Sequence, residues 1–364
     1  MDTNHEAALW LTLLNTSHVK RQVAKRVIHR WCVAEGQPLA ALFDLGAAEV
    51  AEQLGLSPAE ATQVLAAGLD VAVQQAALTR LAASGIGVIT RVDAAYPDLL
   101  TERLPEERLP YYLFYRGDLD NLTQPGVALL GGAQPAEDAL AQVSALASAL
   151  ADEGHLLVGG YDRGIDRQAL DDARGAGAPI TLVLPAGIET MEAVLQRLAP
   201  RGAVDRVLAL SPYAPTVPYS DWLAAARMSL IGALAEVLVV VAPDKEPDAM
   251  GDLRDLFVSP TAAAAHRALA WTGDHGPATR AWIDAGAQPF SGAEAGLAHI
   301  LAHFGAVPAE AAGEADIDAL PGVEPIVFHD ADSAIEALEQ TGRVPEALAR
   351  RLREANWDDD WHND

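Results

Sequence analysis

The chain has 364 residues, half of them hydrophobic, which is enough for two or three domains with buried cores. The single cysteine, Cys32, excludes an internal disulfide, and no apolar run approaches the roughly 20 residues that span a bilayer. The formal net charge of -26 repels polyanions at long range, so nucleic-acid binding requires a local basic patch. The acidic start of the chain does not resemble a signal peptide, and we expect a cytoplasmic protein.

Residues 1–84 are predicted to form a helical domain. The segment 18–31 places four apolar residues at helical spacing and surrounds them with the densest positive charge in the chain, from Lys20, Arg21, Lys25, Arg26 and Arg30. Another helix begins at Ser57, where Pro58 stands at the first helical position and Glu60 completes a capping box. Helices are also predicted over 39–43, 47–54 and 69–83.

Residues 85–304 are predicted to form a Rossmann-like α/β domain. Two extended segments between 85 and 117 lead into alternating elements, with strands at 127–132, 155–160, 180–185, 206–211, 236–243 and 267–271. Helices are predicted between them at 135–152, 165–174, 189–198, 219–234 and 260–268. Continuous apolar strands separated by helices indicate a doubly wound parallel sheet covered on both faces. Residues 305–321 are predicted to be a linker, and residues 322–364 a small C-terminal module with an acidic tail.

Two successive predicted strands end on paired glycines, Gly131-Gly132 and Gly159-Gly160. The second pair leads through Gly164 into a helix. Such a junction either turns backbone amides and a helix N-terminus toward a phosphate, or is a tight turn that binds nothing. Ligands of open parallel sheets bind at the carboxyl ends of the strands, so these four glycines and Gly164 are candidate binding residues.

Four charged residues lie at or near these predicted strand ends. Arg163 and Lys245 are candidate phosphate contacts, although an exposed turn arginine can equally be solvated. Asp166 either contacts a ligand or stabilises the helix N-terminus. Arg227 either points at the strand ends or covers surface.

The motifs of several enzyme classes are missing from the sequence. It contains neither a G-x-G-x-x-G fingerprint nor a P-loop, no G-x-S-x-G nucleophile motif, and no Cys/His cluster for zinc. His299 and His303 lack the glutamate of a zincin pair and are interpreted as a helix surface. We therefore expect a protein without catalytic activity, cofactor or metal.

Seven segments, in order, resemble the DNA-processing protein A (DprA/Smf) family. They are AAYPDLL at 94–100, PYYLFYRGDL at 110–119, VALLGG at 127–132, LLVGGYDRGID at 156–166, ITLVLPAGIE at 180–189, LAAARMSLIGALAEVLVVV at 223–241 and ATRAWIDAGA at 278–287. The chain departs from the family's polar positions: the arginine of G(T/S)R is Ala133, the serine and histidine of SG.A.GID..AH are Gly159 and Leu170, and RNR keeps only Arg227.

The resemblance implies a non-catalytic protein that binds single-stranded DNA in DNA processing, recombination or transformation, loads a recombinase and forms a homodimer. On this interpretation Arg163, Arg227 and Lys245 contact phosphates. The lost polar positions favour an alternative, a sensor in anti-phage defence or a toxin–antitoxin system that binds a nucleotide derivative or a protein partner. A third possibility, a nucleotide hydrolase resembling the lysine-decarboxylase-like group, is disfavoured because its PGGxGTxxE loop is missing.

Overall fold

A computed structural model describes residues 3–198, 206–244, 253–254, 256–257, 267–274 and 276–305. The described residues all belong to one compact unit, within residues 1–306. The predicted C-terminal module, nearly all of the predicted linker, nearly all of the predicted helix at 260–268 and Lys245 lie outside the described residues.

Nine strands in the described part of the chain form one mixed sheet in the order β1-β2-β6-β5-β4-β3-β7-β8-β9. They are β1 (Gly87–Thr90), β2 (Tyr112–Arg116), β3 (Gly126–Gly131), β4 (Leu156–Gly159), β5 (Ile180–Val183), β6 (Val207–Ser211), β7 (Ala235–Val241), β8 (Ala268–Trp271) and β9 (Gln288–Phe290). Strands β3 to β9 pair in parallel, whereas β1 and β2 extend one edge by antiparallel pairing. The predicted Rossmann-like sheet is confirmed.

Helices cover both faces of the sheet. Those of the sheet-forming region are α7 (Asp98–Arg103), α8 (Glu137–Asp152), α9 (Ile165–Gly175), α10 (Glu192–Leu198), α11 (Asp221–Ala226), α12 (Met228–Leu234), α13 (Pro277–Asp284) and α14 (Ala293–Phe304). On β3, Val127 and Leu129 pack into one hydrophobic cluster while Ala128 and Leu130 pack into another. Burial on both faces explains the continuous apolar strand sequences.

The N-terminal helices pack around a separate cluster of apolar side chains. They are α1 (Thr3–Asn15), α2 (Arg21–Val27), α3 (Leu39–Leu42), α4 (Ala47–Leu54), α5 (Pro58–Ala67) and α6 (Val71–Ala83). The predicted capping box is present, since the Glu60 amide donates to Ser57 Oγ (3.3 Å) and the Ser57 amide donates to Glu60 Oε2 (2.9 Å).

The predicted single α-helix over 18–31 differs in the structure. It begins at Arg21 and continues from Ile28 to Ala34 as a π-helix, whose wider turns close i to i+5 hydrogen bonds. The wider turns accompany a tertiary hydrogen bond, in which the buried Trp31 indole Nε1 donates to the Pro38 carbonyl (2.9 Å). The buried stripe of Val19, Val23 and Trp31 agrees with the predicted spacing.

Two further differences lie in the α/β region. The predicted helix over 219–234 is broken at Arg227 into α11 and α12. The reason is that Arg227 Nη1 donates to the Ala224 carbonyl (3.0 Å), which caps the first helix. Strand β9 was not predicted, because Gln288–Phe290 is too short to show an apolar period.

The order of the strands indicates where in the sheet a ligand site is expected. Strand β3 has β4 on one side and β7 on the other, so the chain reverses its direction of strand addition at β3. In open α/β sheets, the crevice at such a switch point lies at the carboxyl ends of the strands. The longest described helix, α8, has 16 residues, and no described helix is long and apolar enough to cross a membrane.

Candidate functional site

The candidate site lies at the carboxyl ends of β3, β4 and β7, and we call it the strand-end site. At the ends of β3 and β7, the Gly132 amide donates to the Ala242 carbonyl (3.0 Å). The next amide, of Ala133, donates to Asp244 Oδ2 (2.8 Å). Ala242 has a φ of 43°, which is uncommon for a residue with a Cβ and marks local backbone strain.

The loop after β4 is organised by a buried carboxylate, that of Asp166. Its Oδ2 atom accepts hydrogen bonds from the amides of Gly160 (3.0 Å) and Asp162 (2.7 Å). These are amides that the sequence interpretation offered to a phosphate. In the structure they point at Asp166, which sits in the first turn of α9 and closes the loop onto its own helix.

The environment of Asp166 perturbs its ionisation. Burial, followed by the charge of Asp162, raises the pKa of the Asp166 carboxyl to about 7. The two backbone hydrogen bonds and the charge of Arg227 act in the opposite direction. The site therefore contains a carboxyl that titrates near neutral pH.

Gly164 begins helix α9 in a conformation that requires glycine. Its φ is 93° and its ψ is −128°. A Cβ at this position would overlap the Gly132 carbonyl oxygen, to which the Ile165 amide donates (3.2 Å). Gly164 thereby holds the start of α9 against the end of β3.

Arg227 lies beneath the loop with none of its surface exposed. Its guanidinium forms a bidentate ion pair with Asp162, with Nη1 3.1 Å from Oδ2 and Nη2 2.9 Å from Oδ1. Nη2 also donates to the Gly160 carbonyl (3.0 Å). A Cβ on Gly160 would overlap this guanidinium, so the absence of a side chain there makes the approach possible. Arg227 Nε is buried and has no hydrogen-bond partner among the described residues.

Arg163, at the tip of the same loop, is exposed and forms no hydrogen bond or ion pair with any described residue. The neighbouring Tyr161 has a φ of 62°, and its hydroxyl donates to Asp171 Oδ1 (2.8 Å). Two guanidiniums stack over the Tyr161 ring, those of Arg167 (5.0 Å) and Arg197 (5.9 Å). Arg163 is therefore the loop's unengaged cation.

The structure brings most of the predicted site residues together at this sheet edge. Gly131 and Gly132 end β3, Gly159 and Gly160 end β4, and Arg163, Gly164 and Asp166 follow within the loop and first helical turn. Arg227 reaches the same loop from the end of α11, but its guanidinium is enclosed by the chain. The direct contact of Arg227 with phosphate stays a prediction, as does the contact of Asp166 with a ligand.

The partner of Arg227, Asp162, was missed by the sequence interpretation. A signal for it exists: Arg227 is the only charged residue in the segment 222–235, WLAAARMSLIGALA. An isolated charge in an apolar helical segment indicates burial, and a buried charge requires a partner. Among the described residues, no group of three or more His, Cys, Asp or Glu side chains is placed to hold a metal ion.

Residues 87–251 match the model of a family described as DNA recombination-mediator protein A. The structure is similar to DNA processing protein A from Streptococcus pneumoniae, with 20% sequence identity, a TM-score of 0.59 and coverage of 81% of this chain and 97% of that one. At that identity the similarity shows the fold.

A structure of DNA processing protein A from Helicobacter pylori, described for its single-stranded DNA binding mode, has 19% identity and a TM-score of 0.48. It covers 60% of this chain and 96% of that one. No curated protein sequence matches the chain.

Proposed function

We propose that the chain is a member of the DNA recombination-mediator protein A family, whose model residues 87–251 match, and that it binds single-stranded DNA at the strand-end site. Family membership supports a role in DNA processing. The observation that carries the specific proposal is the exposed, unengaged Arg163 on a loop whose backbone is fixed by Asp166 and Arg227.

The contacts of Arg163 and Arg227 suggest different roles for the two arginines of the strand-end site. A guanidinium offers five N–H donors in a planar fork, which suits the oxygens of a phosphate. Arg163 supplies that fork at the start of α9, whose N-terminus favours negative charge. Arg227 neutralises Asp162 from below, so one of the carboxylates nearest the bound strand is compensated by an ion pair.

The proposed role is binding and requires no bond to be made or broken. We propose that the bound strand is handed to a recombinase and that the protein acts as a homodimer, as the family resemblance implies. Light scattering coupled to size-exclusion chromatography tests the dimer. A strand-exchange assay with a bacterial recombinase, with and without the protein, tests the transfer.

Fluorescence anisotropy with a labelled single-stranded oligonucleotide tests the binding proposal. We expect Arg163→Ala to weaken binding about tenfold and to reduce the salt slope by about 0.7, the effect of one lost phosphate contact on a single strand. Arg206→Ala is the control, because Arg206 is an exposed arginine directly before β6, at the amino ends of the parallel strands and away from their carboxyl ends. Equal effects of the two variants would contradict the proposed site.

A second candidate function is favoured by the carboxylates around the site. Asp162, Asp166 and Asp244 all lie at the strand ends, which suits a small ligand with one phosphate better than a polyanion. Thermal shift with mononucleotides and dinucleotides tests this alternative. A ligand at about 100 times its Kd stabilises by about 2.7 kcal/mol, and this gain in the absence of oligonucleotide binding would favour the sensor.

A further inference from the structure

A second concave surface lies between the N-terminal helices, the segment that leads into β2, and the residues that follow β6. It has a volume of about 290 Å³, and we call it the aromatic cleft. Its lining combines cations with aromatic rings, notably Arg21, Lys25, Tyr111, Tyr213 and Trp222. The strand-end site uses none of these side chains.

The aromatic side of the cleft includes the most exposed aromatic residue of the described chain. Trp222, in the first turn of α11, keeps 74% of its surface exposed. Nearby Tyr219 keeps 55%, and its hydroxyl donates to Asp221 Oδ1 (2.9 Å). Large rings left open to water beside a concave surface indicate a contact with something outside the fold.

The opposite side of the cleft is basic. Lys25 Nζ lies 5.4 Å from the centre of the Tyr111 ring. Burial raises the pKa of Tyr112, and the charge of Arg21 acts in the opposite direction. Arg21 is exposed and forms no hydrogen bond or ion pair with any described residue. The lining also includes Glu107, whereas its neighbour Glu106 is engaged by Arg91.

Not every cation of helix α2 and its cap faces this cleft. Lys20 and Arg26 lie toward Glu60, whose carboxyl pKa their charges help to lower, although the Ser57 hydrogen bonds contribute more. One short segment thus carries two pairs of basic residues, one lining the cleft and one turned to another surface. Lys20 and Arg26 therefore serve as a matched control for Arg21 and Lys25.

Helix α11 connects the cleft to the strand-end site. Trp222 and Ala226 line the cleft, and Arg227, directly after the helix, anchors the strand-end loop. Five residues of helix advance about 7.5 Å along the axis, so the two surfaces lie within reach of one bound chain. The hydrogen bond to Asp221 and burial raise the pKa of Tyr219, and the charge of Asp162 in the strand-end loop raises it further.

We propose that the aromatic cleft is a second contact site for the same DNA strand, one that stacks bases on Trp222 and Tyr213 and pairs phosphates with Arg21 and Lys25. This rests on the proposed function. Cations interleaved with aromatic faces form the combination that binds single strands without sequence preference. Because the chain has a net charge of -26, a polyanion binds it only at a local cluster of basic residues such as this one.

Oligonucleotides of two lengths separate the two sites. A strand of two nucleotides, with about 3.4 Å between its bases, is too short to contact both surfaces at once, whereas one of about twenty nucleotides spans both. We expect Trp222→Ala to weaken binding of the long strand by about 5- to 150-fold, the loss of one stacked base, and to leave the short strand unchanged. Trp222→Phe restores most of the loss. Because Trp222 is largely exposed, these variants retain the fold.

The basic side is tested through the salt dependence. The double variant Arg21→Ala, Lys25→Ala is expected to reduce the salt slope for the long strand by about 1.4, whereas Lys20→Ala, Arg26→Ala leaves it unchanged. A bromodeoxyuridine near one end of the long strand is expected to cross-link to a peptide containing Tyr213 or Trp222.

The outcomes distinguish this inference from the proposed function. If both strands bind and neither cleft variant affects the long one, the aromatic cleft is not a DNA contact, while the strand-end proposal stands. If the wild-type protein binds neither strand, both proposals are wrong. Equal weakening of the two strands by Trp222→Ala would also overturn the cleft, because a short strand held at the strand-end site does not reach it.

Discussion

The ion pair between Arg227 and Asp162 gives the sharpest prediction about the strand-end site. Asp162→Ala removes both carboxylate contacts and leaves a guanidinium with no exposed surface, held by the carbonyls of Gly160 and Ala224. Removing one partner of a buried pair costs about 3–5 kcal/mol. Because Asp162 keeps 44% of its side-chain surface, water can partly replace it, and we expect a loss of about 3 kcal/mol.

Urea unfolding followed by circular dichroism measures this loss. With a slope of about 3 kcal/mol per molar urea, the midpoint is expected to fall by about 1 M at an unchanged slope. Arg163→Ala is the control, because Arg163 is an exposed charge on the same loop, and its effect should stay within about 0.5 kcal/mol. A loss below about 1 kcal/mol for Asp162→Ala would refute the assignment of Arg227 as the buried support of the loop.

Three further predictions concern stability and reactivity. Gly164→Ala forces a Cβ onto the Gly132 carbonyl at a φ of 93°, so we expect a loss of about 3 kcal/mol in urea unfolding, and an effect below 1 kcal/mol would contradict the described turn. Burial raises the pKa of Asp166 from 3.8 to about 7, so the stability that its protonated form retains is complete below pH 3.8, falls as the pH rises from 3.8 to 7 and is lost above 7. Wild type should therefore lose stability between about pH 4 and 7, and Asp166→Asn should show a smaller loss over that range. Burial also raises the pKa of Cys32, so the thiol should react with a disulfide reagent only as fast as the protein opens, and rapid labelling of the native protein would contradict its burial.

The fold was accessible from sequence because its signals are local. Apolar runs such as 127–130 and 237–241 are continuous where both faces of a strand are covered, and the strands at these positions are confirmed. The capping box of Ser57 and Glu60 likewise depends on residues three apart. Short or interrupted elements were harder to predict from sequence. Strand β9 has too few residues to show an apolar period, and the break between α11 and α12 at Arg227 involves a side-chain contact.

The site was only partly accessible, because its chemistry depends on which way side chains turn. The sequence indicated that Asp166 and Arg227 lie near the strand ends. It could not show that the Asp166 carboxylate accepts the hydrogen bonds of the loop amides, or that the Arg227 guanidinium is buried beneath the loop. The aromatic cleft was even less predictable from the sequence. It joins residues as distant in sequence as Arg21 and Trp222, and only the packing of the N-terminal helices against the sheet edge brings them together.

We propose that Arg163 and the strand-end loop hold a single strand of DNA on an otherwise acidic protein. The most direct measurement is the affinity of wild type and Arg163→Ala for a labelled single strand across a series of salt concentrations, with duplex DNA of the same sequence as competitor. We expect binding that weakens with salt, a salt slope that is smaller by about 0.7 in the variant, and poor competition by the duplex. Identical curves for the two proteins, or no binding at low salt, would contradict it.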